Sequence, residues 1–203
     1  LRSVGDCQAL QVAVDTDWEF TNDLFEGNTA ASSEYAATLM AAMSTIYSVD
    51  VGVEVHISYL RLWENAADPW SASDTATQLP QFREHWESQM SAVPRHLAHL
   101  LSGRSLGGGI AYVGTVCTSY GYAVSGNLHG SFPIPLADHH SNNWDIMVVS
   151  HETGHNCATW HTHNYVPVID GCGIGDCSSA WGGTIMSYCH QCSGGMTNLV
   201  LNF

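Results

Sequence analysis

Residues 148–161 read V-V-S-H-E-T-G-H-N-C-A-T-W-H, and they constrain the chain more than any other stretch. His151 and His155 are four apart, so on an α-helix they lie one above the other on one face and can take two corners of a metal tetrahedron. Glu152 stands beside them, where a metal-activated water needs a carboxylate that takes its proton without ligating. A third imidazole, His161, completes a ligand set for Zn2+ only if the helix ends first. Carried on as helix, it would lie about 9 Å beyond His155, against a Zn–N bond of roughly 2.0–2.1 Å. The chain must therefore turn back between the two. Three imidazoles also leave the fourth position open, as catalytic zinc sites do and structural ones do not.

Around this motif the elements alternate. Gln8 to Val14 reads as a strand ending in the exit turn Asp15-Thr16-Asp17, and Ser33 to Tyr47 carries apolar residues at helical spacing. Val51 to Tyr59 alternates strictly for a second strand, Ser71 to Gln78 is a polar loop, and Pro80 opens a second helix through Phe82, Trp86 and Met90. His96 to Leu101, Ile110 to Val116 and Tyr120 to Ser125 read as further short strands. Asn142 or Asn143 caps the helix that carries His151, and Asp145 in its first turn suits the helix dipole. Strand, helix, strand, helix implies an α/β fold with a mixed sheet and crossover helices. Beyond His161 the chain is rich in Gly and Cys and poor in periodicity.

The charge and the cysteines bound the setting. Nineteen acids face five arginines and no lysine, giving a net charge of −14, which argues against nucleic acid as a partner. The same balance, with Asp15 and Asp17 at the first strand's exit, motivates a calcium site. No run of eighteen apolar residues exists, so no membrane span is expected. Leu1 opens a polar segment with no initiator Met and no leader pattern, so a processed form of a proprotein is expected. The length and the 45% hydrophobic content suit one catalytic domain, expected as a monomer. Cys7, Cys117, Cys157, Cys172, Cys177, Cys189 and Cys192 suggest a disulfide framework outside the reducing cytosol. Cys157, inside the zinc helix, is expected to be the free and buried one. The other six allow fifteen pairings, among them Cys172 with Cys177 across a short Gly-rich loop.

G-I-A-Y-V-G at 109–114, H-E-T-G-H-N at 151–156 and T-I-M-S-Y-C at 184–189 together resemble the metzincin zinc endopeptidases. Within them the likeness is to the reprolysin (adamalysin-like, M12B) group and its compact secreted bacterial members. The resemblance implies a metzincin-like zincin fold: a twisted five-stranded mixed sheet, two long helices, an active-site helix and a small irregular C-terminal lobe. It divides the single catalytic domain of residues 1–203 at about residue 161. It implies Zn2+ on His151, His155 and His161, the family spacing selecting His161 over His163. Glu152 becomes the general base, Met186 a structural Met-turn beneath the imidazoles, and Tyr188 a phenol near the metal. Gly109, Ile110 and Ala111 become an edge strand that binds the substrate backbone. Cys117 is expected to reach the 189–192 region. The activity implied is secreted endopeptidase action on proteins or peptides, with a hydrophobic side chain preferred just after the cleaved bond. A silent binding module on the same fold would be expected to lose Glu152 or a ligand, and all four residues are present. Two positions depart from the family: Ala158 stands where it has Gly, and Thr162 where many relatives have Asp.

Overall fold

The computed structural model, which describes residues 8–203, is organised on a five-stranded sheet in the order β2-β1-β3-β5-β4. The strands are β1 (Gln8–Thr16), β2 (Val53–Arg61), β3 (Leu97–Leu101), β4 (Gly109–Ala111) and β5 (Tyr122–Ser125). β1 pairs in parallel with β2 and β3, and β3 with β5, while β4 runs antiparallel at the sheet's end with Ile110 opposite Val124. Alternation along β1 sets the layers. Leu10, Val12 and Val14 join a core with α2 (Thr29–Asp50) and α4 (Trp144–Asn156); Ala13 faces the other way, toward Leu79, Phe82 and Trp86 of α3 (Thr75–Gln89). β3 is buried along its whole length, as a central parallel strand covered on both faces must be.

Caps explain where the helices differ from the sequence reading. Asn28 accepts from Ala31 N–H and starts α2 four residues before Ser33. The expected exit turn at Asp15–Asp17 leads straight into a short helix, α1 (Trp18–Phe25), because Asp17 accepts from Phe20 N–H at 2.8 Å. The expected loop at 71–78 becomes helical from Thr75, where Asp74 accepts from Thr77 N–H at 2.7 Å. Pro80 therefore sits inside α3, leaving the Ala76 carbonyl without its usual donor.

Asp15 and Asp17 do not form the expected calcium site. Asp15 accepts from both Trp63 Nε1 and Trp86 Nε1, at 3.1 and 3.0 Å, and burial lifts its carboxyl to about 6. Asp17 accepts from Phe20 and Gly103 N–H, from the Ser102 hydroxyl and from Arg104 Nε. These oxygens are consumed by protein donors, so both carboxylates fasten the sheet to its surroundings.

Residues 162–203 form short 3-10 turns held by two disulfides, and both cysteine expectations there are corrected. Cys172 pairs with Cys189 and Cys177 with Cys192, so the 172–177 loop is not closed on itself. The reason is direction: Cys172 is buried against Cys189, while Cys177 lies exposed on the far side of its turn. Cys117, whose expected partners are thus taken, carries a free thiol, as does Cys157; Cys157 is exposed where a buried thiol was expected. Cys7 lies outside the described residues. The C-terminal segment returns to dock on the rest of the fold. Val200 N–H donates to Gly183, Phe203 N–H to Asp50, and the Phe203 ring meets Tyr47 edge-on at 4.9 Å. Among the described residues no helix is long and apolar enough to cross a membrane.

Candidate active site

α4 enters the site from a buried anchor. Asn143 holds the N-cap position, but its side chain donates to the Ala137 carbonyl and caps nothing. Asp145, one turn in, accepts from the backbone of His129 and Gly130 and from Tyr35 Oη at 2.6 Å, tying the helix start to α2 and the preceding loop. At its far end the helix is gripped by the chain leaving β4. Gly114 N–H donates to the His155 carbonyl and Thr115 N–H to that of Asn156, at 2.8 and 2.9 Å. That grip is why the expected strand to Val116 stops at Ala111: its backbone groups are spent on helix carbonyls.

The turn back to His161 is a Schellman arrangement. Thr159 N–H donates to Gly154 and Ala158 N–H to His155, with Ala158 left-handed at φ 72°. Ala158 therefore accepts a conformation that ordinarily favours Gly, at a cost of roughly 1–2 kcal/mol. His161 arrives beside the other two imidazoles. Its Nε2 lies 3.0 Å from Nε2 of His155 and 3.2 Å from that of His151. Tetrahedral ligands at 2.0–2.1 Å from zinc would stand about 3.4 Å apart, so the spacing suits one shared cation.

Protonation points the same way. His151 Nδ1 faces the Ile185 carbonyl at 2.7 Å and His155 Nδ1 faces that of Thr159 at 2.8 Å. A carbonyl can only accept, so both Nδ1 atoms carry the proton and both Nε2 atoms present lone pairs. Burial, with the neighbouring imidazoles, holds His151 at about 3 and His161 at about 4, and burial also lowers His155, so the rings stay neutral. Converging lone pairs repel one another unless a cation lies between them. These three residues form a cluster that could hold a metal.

Glu152 is buried, and its Oε2 has no hydrogen-bond partner. Desolvation pushes its carboxyl well above the usual carboxylate range. Space for it comes from Gly109: a Cβ there would lie 2.5 Å from Glu152 Oε1. Met186 is buried, its sulfur 3.7 Å from Thr159 Oγ1 and its carbonyl accepting from Thr162 N–H. The Tyr188 ring lies 4.5 Å from His161 and 6.3 Å from His151 between centroids, and burial raises its phenol, with Glu152 adding to the effect. His163 stacks on the outer side of His161 at 5.2 Å and is absent from the cluster. Ile110 and Ala111 lie on β4 at the open end of the sheet, half-buried.

A family model described as metallopeptidase family M12, of the reprolysin type, matches residues 7–200. The chain belongs to metallopeptidase family M12. No curated protein matches it. Among solved structures, one titled "Structure of a chaperone-substrate complex" is similar at TM-score 0.56 and 10% identity over 77% of this chain. The chain spans 24% of that structure's chain, and at such identity the likeness concerns the fold alone. Membership makes the protein a zinc metallopeptidase in general terms and agrees with the mixed sheet and four helices described above.

The M12 peptidase also brings in residues that the motif reading passed over. A pocket of about 120 Å³ beside His151 and Glu152 is walled by Trp144, Met147 and Val148 on one side and by His190 and Gln191 on the other. Trp144, Met147, Val148 and His151 share a face of α4 by their 3-4 spacing, a signal present in the sequence. Nothing local to His190 announces it. Its place depends on the disulfides that fix the turn Cys189–Gln191.

Proposed function

We propose that the protein is a secreted endopeptidase that hydrolyses internal peptide bonds with zinc on His151, His155 and His161 and with Glu152 as general base. The observation that carries this reading is the convergence of three neutral imidazole Nε2 atoms beside a buried carboxylate oxygen that has no partner. When bound, zinc supplies a Lewis acid that polarises water and the scissile carbonyl. Glu152 accepts the water's proton on its carboxylate and delivers it to the leaving amine. The Ile185 and Thr159 carbonyls hold two imidazoles in the ligating tautomer, the supporting role that such partners play around metals. Tyr188 donates its hydroxyl proton toward the oxyanion that develops on the carbonyl. Gly109, Ile110 and Ala111 receive the substrate backbone by strand addition, since β4 ends the sheet. Residues 162–203 form the opposite wall of the cleft within one catalytic unit, and Met186 supports the imidazoles from below.

The two disulfides support an extracellular location, and a proprotein and a monomeric mature form are part of the same reading. Treatment with 1,10-phenanthroline should abolish peptide cleavage, and zinc should restore it. A protein that cleaves equally well with no transition metal by elemental analysis would remove the zinc mechanism.

A further inference from the structure

The pocket beside the triad is not the plain apolar slot that a preference for hydrophobic side chains calls for. Its Trp144, Met147 and Val148 wall is apolar, but the facing wall is an imidazole and a carboxamide. That wall is rigid. Cys189 is bonded to Cys172 and Cys192 to Cys177, Gln191 N–H donates to the Tyr188 carbonyl, and Asn198 Nδ2 donates to that of Cys189. The His190 ring is boxed edge-on between Trp144 at 6.1 Å and Tyr188 at 5.9 Å. Its Nδ1 is buried beside the Ser187 backbone and out of a ligand's reach, which leaves Nε2 as the ring nitrogen that can meet one. A ligand that covers an accessible polar group of this wall without pairing it loses about 1–3 kcal/mol, so one that hydrogen-bonds there gains over one that cannot.

We propose that His190 and Gln191 make this pocket selective for a substrate carboxamide, Gln or Asn, at a residue next to the cleaved bond. The proposal rests on the endopeptidase reading above. Burial keeps His190 neutral, so its Nε2 offers a ligand one donor or one acceptor according to the tautomer. Gln191 offers both through its amide, and a carboxamide is the side chain that can answer both. The methylenes of Gln or Asn would lie along Met147 and Val148. Size narrows the choice further. The pocket's 120 Å³ is below the ~150 Å³ that takes a benzene ring, which disfavours aromatic side chains.

The test is a peptide library randomised on both sides of the cleaved bond, read with the zinc-loaded protein and with the His190→Leu and Gln191→Leu variants. The wild type should favour Gln or Asn over Leu at one of the two adjacent positions by about tenfold in kcat/KM, the ratio one good hydrogen bond supplies. Either variant should bring Leu level or ahead, at unchanged zinc content. A wild-type preference for Leu or Met at both positions, or a profile that neither variant moves, overturns the proposal. Calorimetry with two uncleavable reduced-amide peptides, differing only in Gln or Leu at that residue, reads the pocket apart from turnover. If nothing is cleaved the endopeptidase reading fails, while tighter binding of the Gln peptide still supports the pocket assignment and equal binding overturns it.

Discussion

Glu152 occupies space that only a glycine across from it can provide. Gly109 comes from β4, forty-three residues earlier, and its missing Cβ is what lets the carboxylate lie against the strand. Gly109→Ala should move that carboxylate while leaving the three imidazoles alone. Zinc content is then expected to hold while kcat falls by about a hundredfold, the scale of a 1 Å misplacement. An alanine variant with full activity would mean that Glu152 has room to spare. The glycine was legible as part of an edge strand, but its contact with Glu152 was not, because no sequence window spans both residues. Tyr188 poses a similar question of role. Tyr188→Phe keeps the ring against His161 and removes the hydroxyl, so kcat and kcat/KM should fall together by roughly ten- to a thousandfold with KM unchanged. Unchanged kinetics would reduce Tyr188 to packing. Ala158 shows the limit of motif matching at single residues: the family's Gly is absent, yet the left-handed turn forms and His161 still reaches its neighbours.

Among the elements, α4 is the one most fully written in the sequence. Two imidazoles at i and i+4, a carboxylate between them and an acidic first turn follow from helical spacing alone, and the structure keeps all of them on a buried helix. β4 is less legible. Its hydrogen-bonding capacity looks the same whether it meets another strand or the end of a helix, and beyond Ala111 the helix end takes it. Disulfide pairing is least legible, since it depends on which way each thiol faces in turns without periodicity. The pairing has a direct chemical check. In folded, unreduced protein Cys117 and Cys157 should alkylate, Cys157 slowly because the protein packed around its exposed thiol still desolvates it and lifts it to about 11, whereas Cys172, Cys177, Cys189 and Cys192 should not. Mass mapping that finds Cys117 joined to residue 189 or 192 would refute the arrangement. Replacing both Cys172 and Cys189 by Ser should cost roughly 3 kcal/mol of stability, as the loss of a loop of this length does.

At the scale of the molecule, the sheet with its helices and the disulfide-held segment after His161 meet at the triad, each supplying what the other lacks. The sheet side brings Glu152, Gly109 and two imidazoles on a helix gripped at both ends. The other brings Met186, Tyr188 and the carbonyl of Ile185 that sets the His151 tautomer. Much of that division is visible in the sequence as periodic chain before His161 and Gly- and Cys-rich chain after it. The acidic surface was legible too, but its meaning was not: Asp15 and Asp17, read as a cation site, are internal hydrogen-bond hubs. The central claim is that the metal site is held by the imidazoles and worked by Glu152, and the two functions separate in one variant. Glu152→Gln keeps the shape and the buried position but cannot take a proton. The decisive measurement is kcat/KM of the zinc-loaded Glu152→Gln protein on an internally quenched peptide. A fall of at least about a hundredfold with one zinc per chain retained is the expected result. Turnover near the wild-type value at the same zinc content would contradict the account.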